Sequence, residues 1–312
     1  MSSEAVEVEV PVHDGLVAID RSRPRSRSRA DAGEAQPPRM THDEAIQVLL
    51  NDPAWAQNVL DNYHDDVATA APRFLASAEF NAVLALLKNV RRSVVLDVGA
   101  GNGMASFAFA RSGAARVYAV EPDDSPLVGR QAIRRVTEGL PVEVIGAVGE
   151  ALPLPDASVD IAYCRATLHH VEDLAGFATE CARVLRPGGV FLACREPVVR
   201  DARELHRFLG DHRVHQLAGG EHAYYLDEYV GALTGAGLAM QRVFGPWDTI
   251  INAFPAFDSD EALRDVVGAK LRRKLGPLGG LAAPLRILDP LFLLWIRRPR
   301  PGRSFSFFAR KP

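Results

Sequence analysis

Three glycines and two acids set the chemistry open to this chain. Residues 93–103 read SVVLDVGAGNG, with Asp97 two residues before Gly99, and Gly99, Gly101 and Gly103 alternating through a turn. A second acid, Glu121, closes the next apolar run, Val117 to Val120. A glycine turn between a strand and a helix brings bare backbone N–H groups up to an anionic or polar ligand at the helix N-terminus. Glycines alone say little, because many tight turns need them. The two acids in step with them make the pattern specific.

Positioning those residues takes a strand before each acid and a helix after the turn. Val94, Val95 and Leu96 form a short run typical of a strand buried on both faces. The segment 104–112 then takes up helical periodicity. The alternation continues, predicting strands near 94–98, 116–120, 142–146, 159–164 and 189–195 and helices near 104–112, 124–137 and 173–185. Asp227 reads as the cap of a further helix, 228–236, and 238–244 as a sixth strand. Residues 304–310 (SFSFFAR) alternate as a last strand. Strands separated by helices of this length imply right-handed crossovers and a parallel sheet covered on both faces. Upstream, Thr41 and Glu44 make a capping box before Ile46, Val48, Leu49 and Leu50. Asn51, Asp52 and Pro53 start a second helix through Leu60 and Tyr63, and 72–89 reads as a third.

The loop at 97–103 resembles motif I of the class I S-adenosylmethionine (SAM)-dependent methyltransferases. Four further stretches fall in that family's order: 117–122 (VYAVEP), 150–164 (EALPLPDASVDIAYC), 168–171 (LHHV) and 185–189 (LRPGG). The resemblance runs over residues 75–245 and points to the small-molecule branch of type 11-like methyltransferases. It implies an α/β fold, a doubly wound, mostly parallel seven-stranded Rossmann-like sheet with N-terminal helices, a helical insertion before the last strand, and that last strand antiparallel. It implies SAM as cofactor, held by Asp97, Gly99, Gly101, Asn102, Gly103, Glu121, Pro122, Gly149, Glu150, Ala151, Arg165 and Ala166. Asp97 suits the methionine ammonium and Glu121 the ribose hydroxyls, an ionised carboxylate being acceptor-only. The family commonly carries an acid five positions before the proline of the Leu-Pro pair for adenine. Here that position is Val148, which shifts the contact to Gly149, Glu150 and Ala151. Oxygen and carbon acceptors usually need a base. His169, after the fourth strand, and His222, in the hinged stretch GGEHAYY, are the candidates. His206, His212 and His215 sit at loose helical spacing, but no carboxylate or cysteine spacing accompanies them, so no metal is expected.

Length and composition bound the rest. The chain has 312 residues, 47% hydrophobic and 24% charged, which is ordinary for a globular protein. A net charge of −3 argues against a general nucleic-acid binder. Cys164, Cys181 and Cys194 form no C-x-x-C pair and read as buried apolar residues in a reducing compartment. With no long uninterrupted apolar run, the expected location is the cytoplasm. Residues 1–40, with the tract RSRPRSRSR, read as a disordered tail, and 41–312 as one methyltransferase domain. That domain divides into a helical cap (41–92), a SAM-binding core (93–195), a substrate segment with the sixth strand (196–245), an insertion (246–303) and the last strand (304–312). Within the insertion, residues 275–298 are apolar, broken by proline and flanked by basic residues. They read as a lid, an oligomer contact or a peripheral membrane contact. The functional expectation is methyl transfer to O, N or C of a small molecule, among them glycosyl or lipid-linked metabolites. The alternative is a partner subunit or ligand sensor on the same fold.

Overall fold

The computed structural model describes residues 8–12, 15–19, 40–263, 265 and 304–312. The chain opens with a hairpin, β1 (Val8–Val12) and β2 (Gly15–Ile19), followed by four helices, α1 (His42–Leu50), α2 (Ala56–Asp61), α3 (Val67–Leu75) and α4 (Ala78–Leu87). The alternating core comprises β3 (Val94–Val98), α5 (Met104–Arg111), β4 (Arg116–Val120), α6 (Arg130–Val136), β5 (Val142–Ile145), β6 (Val159–Arg165), α7 (Leu174–Val184) and β7 (Leu185–Val199). Then come α8 (Ala202–Asp211), α9 (Arg213–Ala218), β8 (Tyr224–Tyr225), α10 (Leu226–Gly235), β9 (Ala239–Phe244), α11 (Ile250–Ala253) and β10 (Ser304–Arg310).

The apolar run of β3 lies inside the sheet, paired in parallel with β4 on one side and β6 on the other. The strand order is β5-β4-β3-β6-β7-β10-β9, and β10 runs antiparallel to both its neighbours, as the resemblance implied. The two residues of β8 pair with β7, adding an eighth strand to the seven expected. After β5 the chain crosses back over β3 to lay down β6, so the order reverses beside β3. In an open α/β sheet that reversal opens a crevice at the carboxyl ends of the strands.

Alternate β3 side chains feed two cores. Leu96 and Val98 join the layer of Phe177, Ala178 and Cys181 from α7, with Tyr229 and Val230 from α10. Val95 faces the layer built by α3, α4 and α5. There Phe74, Phe80, Phe109 and Tyr163 form a run of ring pairs 5.0 to 5.2 Å apart. All four are fully buried, and truncating any one to alanine would cost about 3–5 kcal/mol. Cys164, Cys181 and Cys194 are free and buried, as read from their settings.

Three expectations are corrected. The 1–40 tail contains the β1–β2 hairpin, with Val8 opposite Ile19 and Val12 opposite Gly15. The period-two pattern of Val8, Glu9 and Val10 carries it, although the basic tract dominates the tail's composition. The single helix over 72–89 is two helices, because Ser77 breaks it. The Ser77 hydroxyl donates to the Phe74 carbonyl (2.7 Å) and accepts the Phe80 N–H (3.1 Å), capping α4 in a new direction. The helix expected over 124–137 begins only at Arg130, because the Asp43 carboxylate of α1 captures the preceding turn. It accepts the N–H groups of Leu127 (2.9 Å) and Val128 (3.0 Å) and the Ser125 hydroxyl (3.0 Å). No single helix among the described residues is long and apolar enough to cross a membrane. The insertion beyond Asp265, including 275–298, lies outside the described residues.

Candidate functional site

A chamber of about 1160 Å3 opens along the carboxyl ends of β3, β4 and β6. The glycine turn forms its floor. Gly99, Gly101 and Gly103 all hold positive φ (66°, 56° and 87°), a region that costs other residues energy. Two of them are also required by their neighbours: a Cβ on Gly99 would stand 2.3 Å from the Thr167 methyl, and one on Gly103 2.9 Å from the Ile133 backbone. At Gly101 the nearest atom is 3.7 Å away, so that glycine leaves room over the turn.

Both acids line this chamber. Asp97, at 2% exposure, accepts the Ser106 hydroxyl at 2.6 Å. Burial pushes its pKa up to about 7, against the pull of that hydrogen bond. Glu121 accepts the Gly101 N–H (2.8 Å) on one oxygen and the Asp123 N–H (3.0 Å) on the other. Burial raises its pKa as well. A carboxylate has about four acceptor positions, so each oxygen keeps capacity for a hydroxyl donor. An anion-tolerant turn at the start of α5 with two carboxylates beside it fits a ligand bearing a carboxylate, an ammonium and a diol.

Other expected contacts divide. Pro122, Gly149, Glu150 and Ala166 line the chamber. Gly149 has a packing reason too, since its Cβ would press on the Phe177 ring at 2.3 Å. Ala151 is corrected: it is exposed and off the chamber wall, because the chain turns outward after Glu150. Asn102 is corrected in part. Its amide donates to the Tyr63 carbonyl (2.6 Å) and its oxygen accepts the Met104 N–H (3.2 Å), so the side chain ties the helical cap to the turn. Arg165 borders the chamber, but its guanidinium is spent on Glu79 at 2.6 and 3.2 Å and stacks over Tyr63 and Phe74. It locks α4 to β6 as a buried ion pair.

The opposite wall carries the histidines. A short 3-10 turn, Leu168–His170, follows β6 and puts His169 and His170 side by side with ring centroids 4.1 Å apart. His169 Nδ1 lies 2.8 Å from Oε2 of Glu196, a fully buried residue of β7. Glu196 also accepts the Thr167 N–H at 2.9 Å, so the strand itself holds the turn. His169 Nε2 faces Glu221 Oε2 at 3.3 Å. Burial alone would lower the His169 pKa, but the two carboxylates outweigh it and lift it to about 9. Glu221 is held well below the usual carboxylate range by His170, His169 and His212, against its own burial. His222 is corrected. It is buried behind the wall against Tyr224 (4.6 Å between rings), and desolvation takes its pKa down to about 4. The functional side chain of that stretch is its neighbour, Glu221. The signals for Glu196 and Glu221 were an acid inside the apolar strand run VFLACREP and an acid between the glycine pair and His222.

Comparison with known proteins gives this geometry a family. Residues 96–193 match the model described as "Methyltransferase domain". The chain is 30% identical over 243 residues to the 27-O-demethylrifamycin SV methyltransferase of Amycolatopsis mediterranei, covering 73% of this chain and 85% of that one. The chain belongs to the class I SAM-dependent methyltransferase family. It is also 31% identical over 130 residues to a ubiquinone biosynthesis O-methyltransferase of Rhizobium etli, covering 42% of this chain. It spans about half the length of the ubiquinone relatives it matches. A SAM-dependent methyltransferase of Mesorhizobium loti shares the fold, with TM-score 0.50, 21% identity, and coverage of 75% of this chain and 98% of that one. The cofactor of this methyltransferase family is SAM, and the glycine turn, Asp97 and Glu121 present the donor and acceptor set that it requires.

Proposed function

We propose that this chain transfers the methyl group of SAM to a hydroxyl oxygen of a small-molecule acceptor. The carrying observation is His169, held between Glu196 and Glu221 in the same chamber as Asp97 and Glu121. SAM would lie over the glycine turn, with its ammonium on Asp97, its ribose hydroxyls on Glu121 and its methionine carboxylate toward the start of α5. The sulfonium supplies a methyl carbon already activated for displacement. The chain's part is to align the acceptor in line with it, exclude water and take up one proton.

With SAM bound there, its sulfonium would supply the methyl group to the acceptor oxygen and leave as the neutral thioether, and His169 Nε2 would take up the acceptor's hydroxyl proton. Glu196, on Nδ1, fixes the tautomer and balances the imidazolium that forms. Glu221 Oε2, 3.3 Å from His169 Nε2, stabilises the same imidazolium from the other side. The two carboxylates, by raising its pKa, make His169 a stronger base than free imidazole. The two relatives named as O-methyltransferases or as acting at a 27-O position support oxygen as the acceptor atom.

The test is transfer of labelled methyl from SAM to a panel of phenols, sugars and polyketide alcohols. The expected result is an O-methyl product, with kcat for His169→Gln down about 100-fold or more. For His222→Gln, behind the wall, the rate stays within a few fold of wild type. Equal losses in both variants, or methylation confined to nitrogen or carbon acceptors, would overturn the reading.

A further inference from the structure

The histidine wall has a second property that proton transfer does not use. His169 and His170 both turn Nδ1 to a protein oxygen: His169 to Glu196 Oε2 at 2.8 Å and His170 toward the Gly220 carbonyl at 3.5 Å. Both therefore turn Nε2 the other way, and the two nitrogens converge on one atom. Glu221 Oε2 lies 3.3 Å from His169 Nε2 and 3.8 Å from His170 Nε2, and the three ligand atoms fall within 4.8 Å of one another. That carboxylate oxygen is buried, and among the described residues it accepts no hydrogen bond from outside the histidine pair.

We infer that His169 Nε2, His170 Nε2 and Glu221 Oε2 form a binding site for a divalent transition metal of the zinc type. Two atoms bound tetrahedrally at about 2.0–2.1 Å from one ion lie about 3.3–3.4 Å apart, close to the separations seen here. The contacts on Nδ1 are what a metal-bound imidazole needs: a carboxylate or carbonyl that fixes the tautomer and presents the far nitrogen's lone pair. Two imidazoles and one carboxylate select zinc, cobalt or nickel over magnesium and calcium, which prefer all-oxygen sets. With three protein ligands, the fourth position opens to the chamber, where His170 is 42% exposed. The expectation of no metal from the sequence concerns His206, His212 and His215, which no carboxylate or cysteine accompanies at ligand spacing. At His169 and His170 the fold supplies a carboxylate by carrying Glu221 back from the loop after α9. A metal on His169 Nε2 occupies the lone pair that would take the acceptor proton, so metal loading and base action exclude one another.

The inference stands on these side chains and not on the reaction, and its test reads metal directly. The full chain, stripped with chelator, is titrated with Co2+ while the visible cobalt absorption is followed. SAM binding and the melting temperature are measured on the same samples. Saturation at one ion per chain, with an unchanged titration when Mg2+ is in excess, is expected. His170→Ala and Glu221→Gln should lose that saturation, and Glu196→Gln, behind His169, should weaken it about 10–100-fold. The exposed His206→Ala should titrate as wild type. No stoichiometric binding by the wild type, or equal binding by wild type, His170→Ala and Glu221→Gln with folding and SAM binding intact, would overturn the site. Loss of SAM binding in the wild type would instead count against the cofactor assignment and leave the metal result readable.

Discussion

With the SAM ammonium placed on Asp97 as proposed, the chain's stability and its cofactor affinity should run in opposite directions with pH. The carboxyl is buried, one hydrogen bond from Ser106 supports its charge, and burial lifts its pKa from 3.8 to about 7. Between those two values the folded chain holds a proton that the unfolded chain has lost. Its contribution to stability is therefore complete below pH 3.8 and is lost as pH rises to 7. A shift of about three units at about 1.36 kcal/mol each bounds the effect at about 4 kcal/mol. The methionine ammonium asks for the ionised form, so SAM affinity should fall as pH drops below 7, approaching tenfold per unit. Asp97→Asn keeps the shape, removes the titration and should flatten both curves. The assay is thermal melting of the apo protein from pH 5 to 8 beside calorimetric titration with SAM. Methylthioadenosine, which lacks the ammonium, is the control and should bind with little pH dependence. Equal SAM affinity at pH 6 and pH 8 in the wild type, or an identical slope in Asp97→Asn, would refute the reasoning.

Two further perturbations test the frame around the site. Gly99→Ala would set a Cβ 2.3 Å from Thr167 at positive φ, costing about 2–5 kcal/mol for strain and overpacking together, whereas Gly101→Ala, with its nearest neighbour at 3.7 Å, should cost only about 1–2 kcal/mol for the backbone. Chemical denaturation of the two variants side by side checks this, and an equal loss would show that Thr167 yields. Glu79→Gln strands the buried Arg165 guanidinium and should destabilise by about 3–5 kcal/mol, while Glu79→Gln with Arg165→Met recovers part of that loss in the same denaturation experiment.

The sheet was legible because its cause is local. Each of β3, β4, β5 and β6 is a short apolar run bounded by turn residues, and the structure places it within a residue or so of the periodicity. The glycine turn and its two acids were legible for the same reason, since strand, turn and helix are contiguous. What stayed hidden was fixed by partners distant in sequence. Asp43 of α1 takes the first turn of the helix expected at 124, and no pattern within 124–137 records that. Arg165 reads as a cofactor contact until Glu79, 86 residues away, is seen to claim it. In GGEHAYY the histidine drew attention by its chemistry, yet the strand pairing of Tyr224 and Tyr225 turns His222 inward and Glu221 to the chamber. Glu196 sat in plain view as an acid within a buried strand, a placement that asks for a partner. Its partner, His169, was already a candidate from the next motif.

The claim on which the account rests is that Glu121 and the glycine turn hold SAM. Calorimetric titration of the wild type and of Glu121→Ala with SAM tests it most directly. Two charge-assisted hydrogen bonds at about 1.5–3 kcal/mol each predict that the variant binds at least about 100-fold more weakly. Undiminished binding by the variant, or no binding by the folded wild type, would contradict the account.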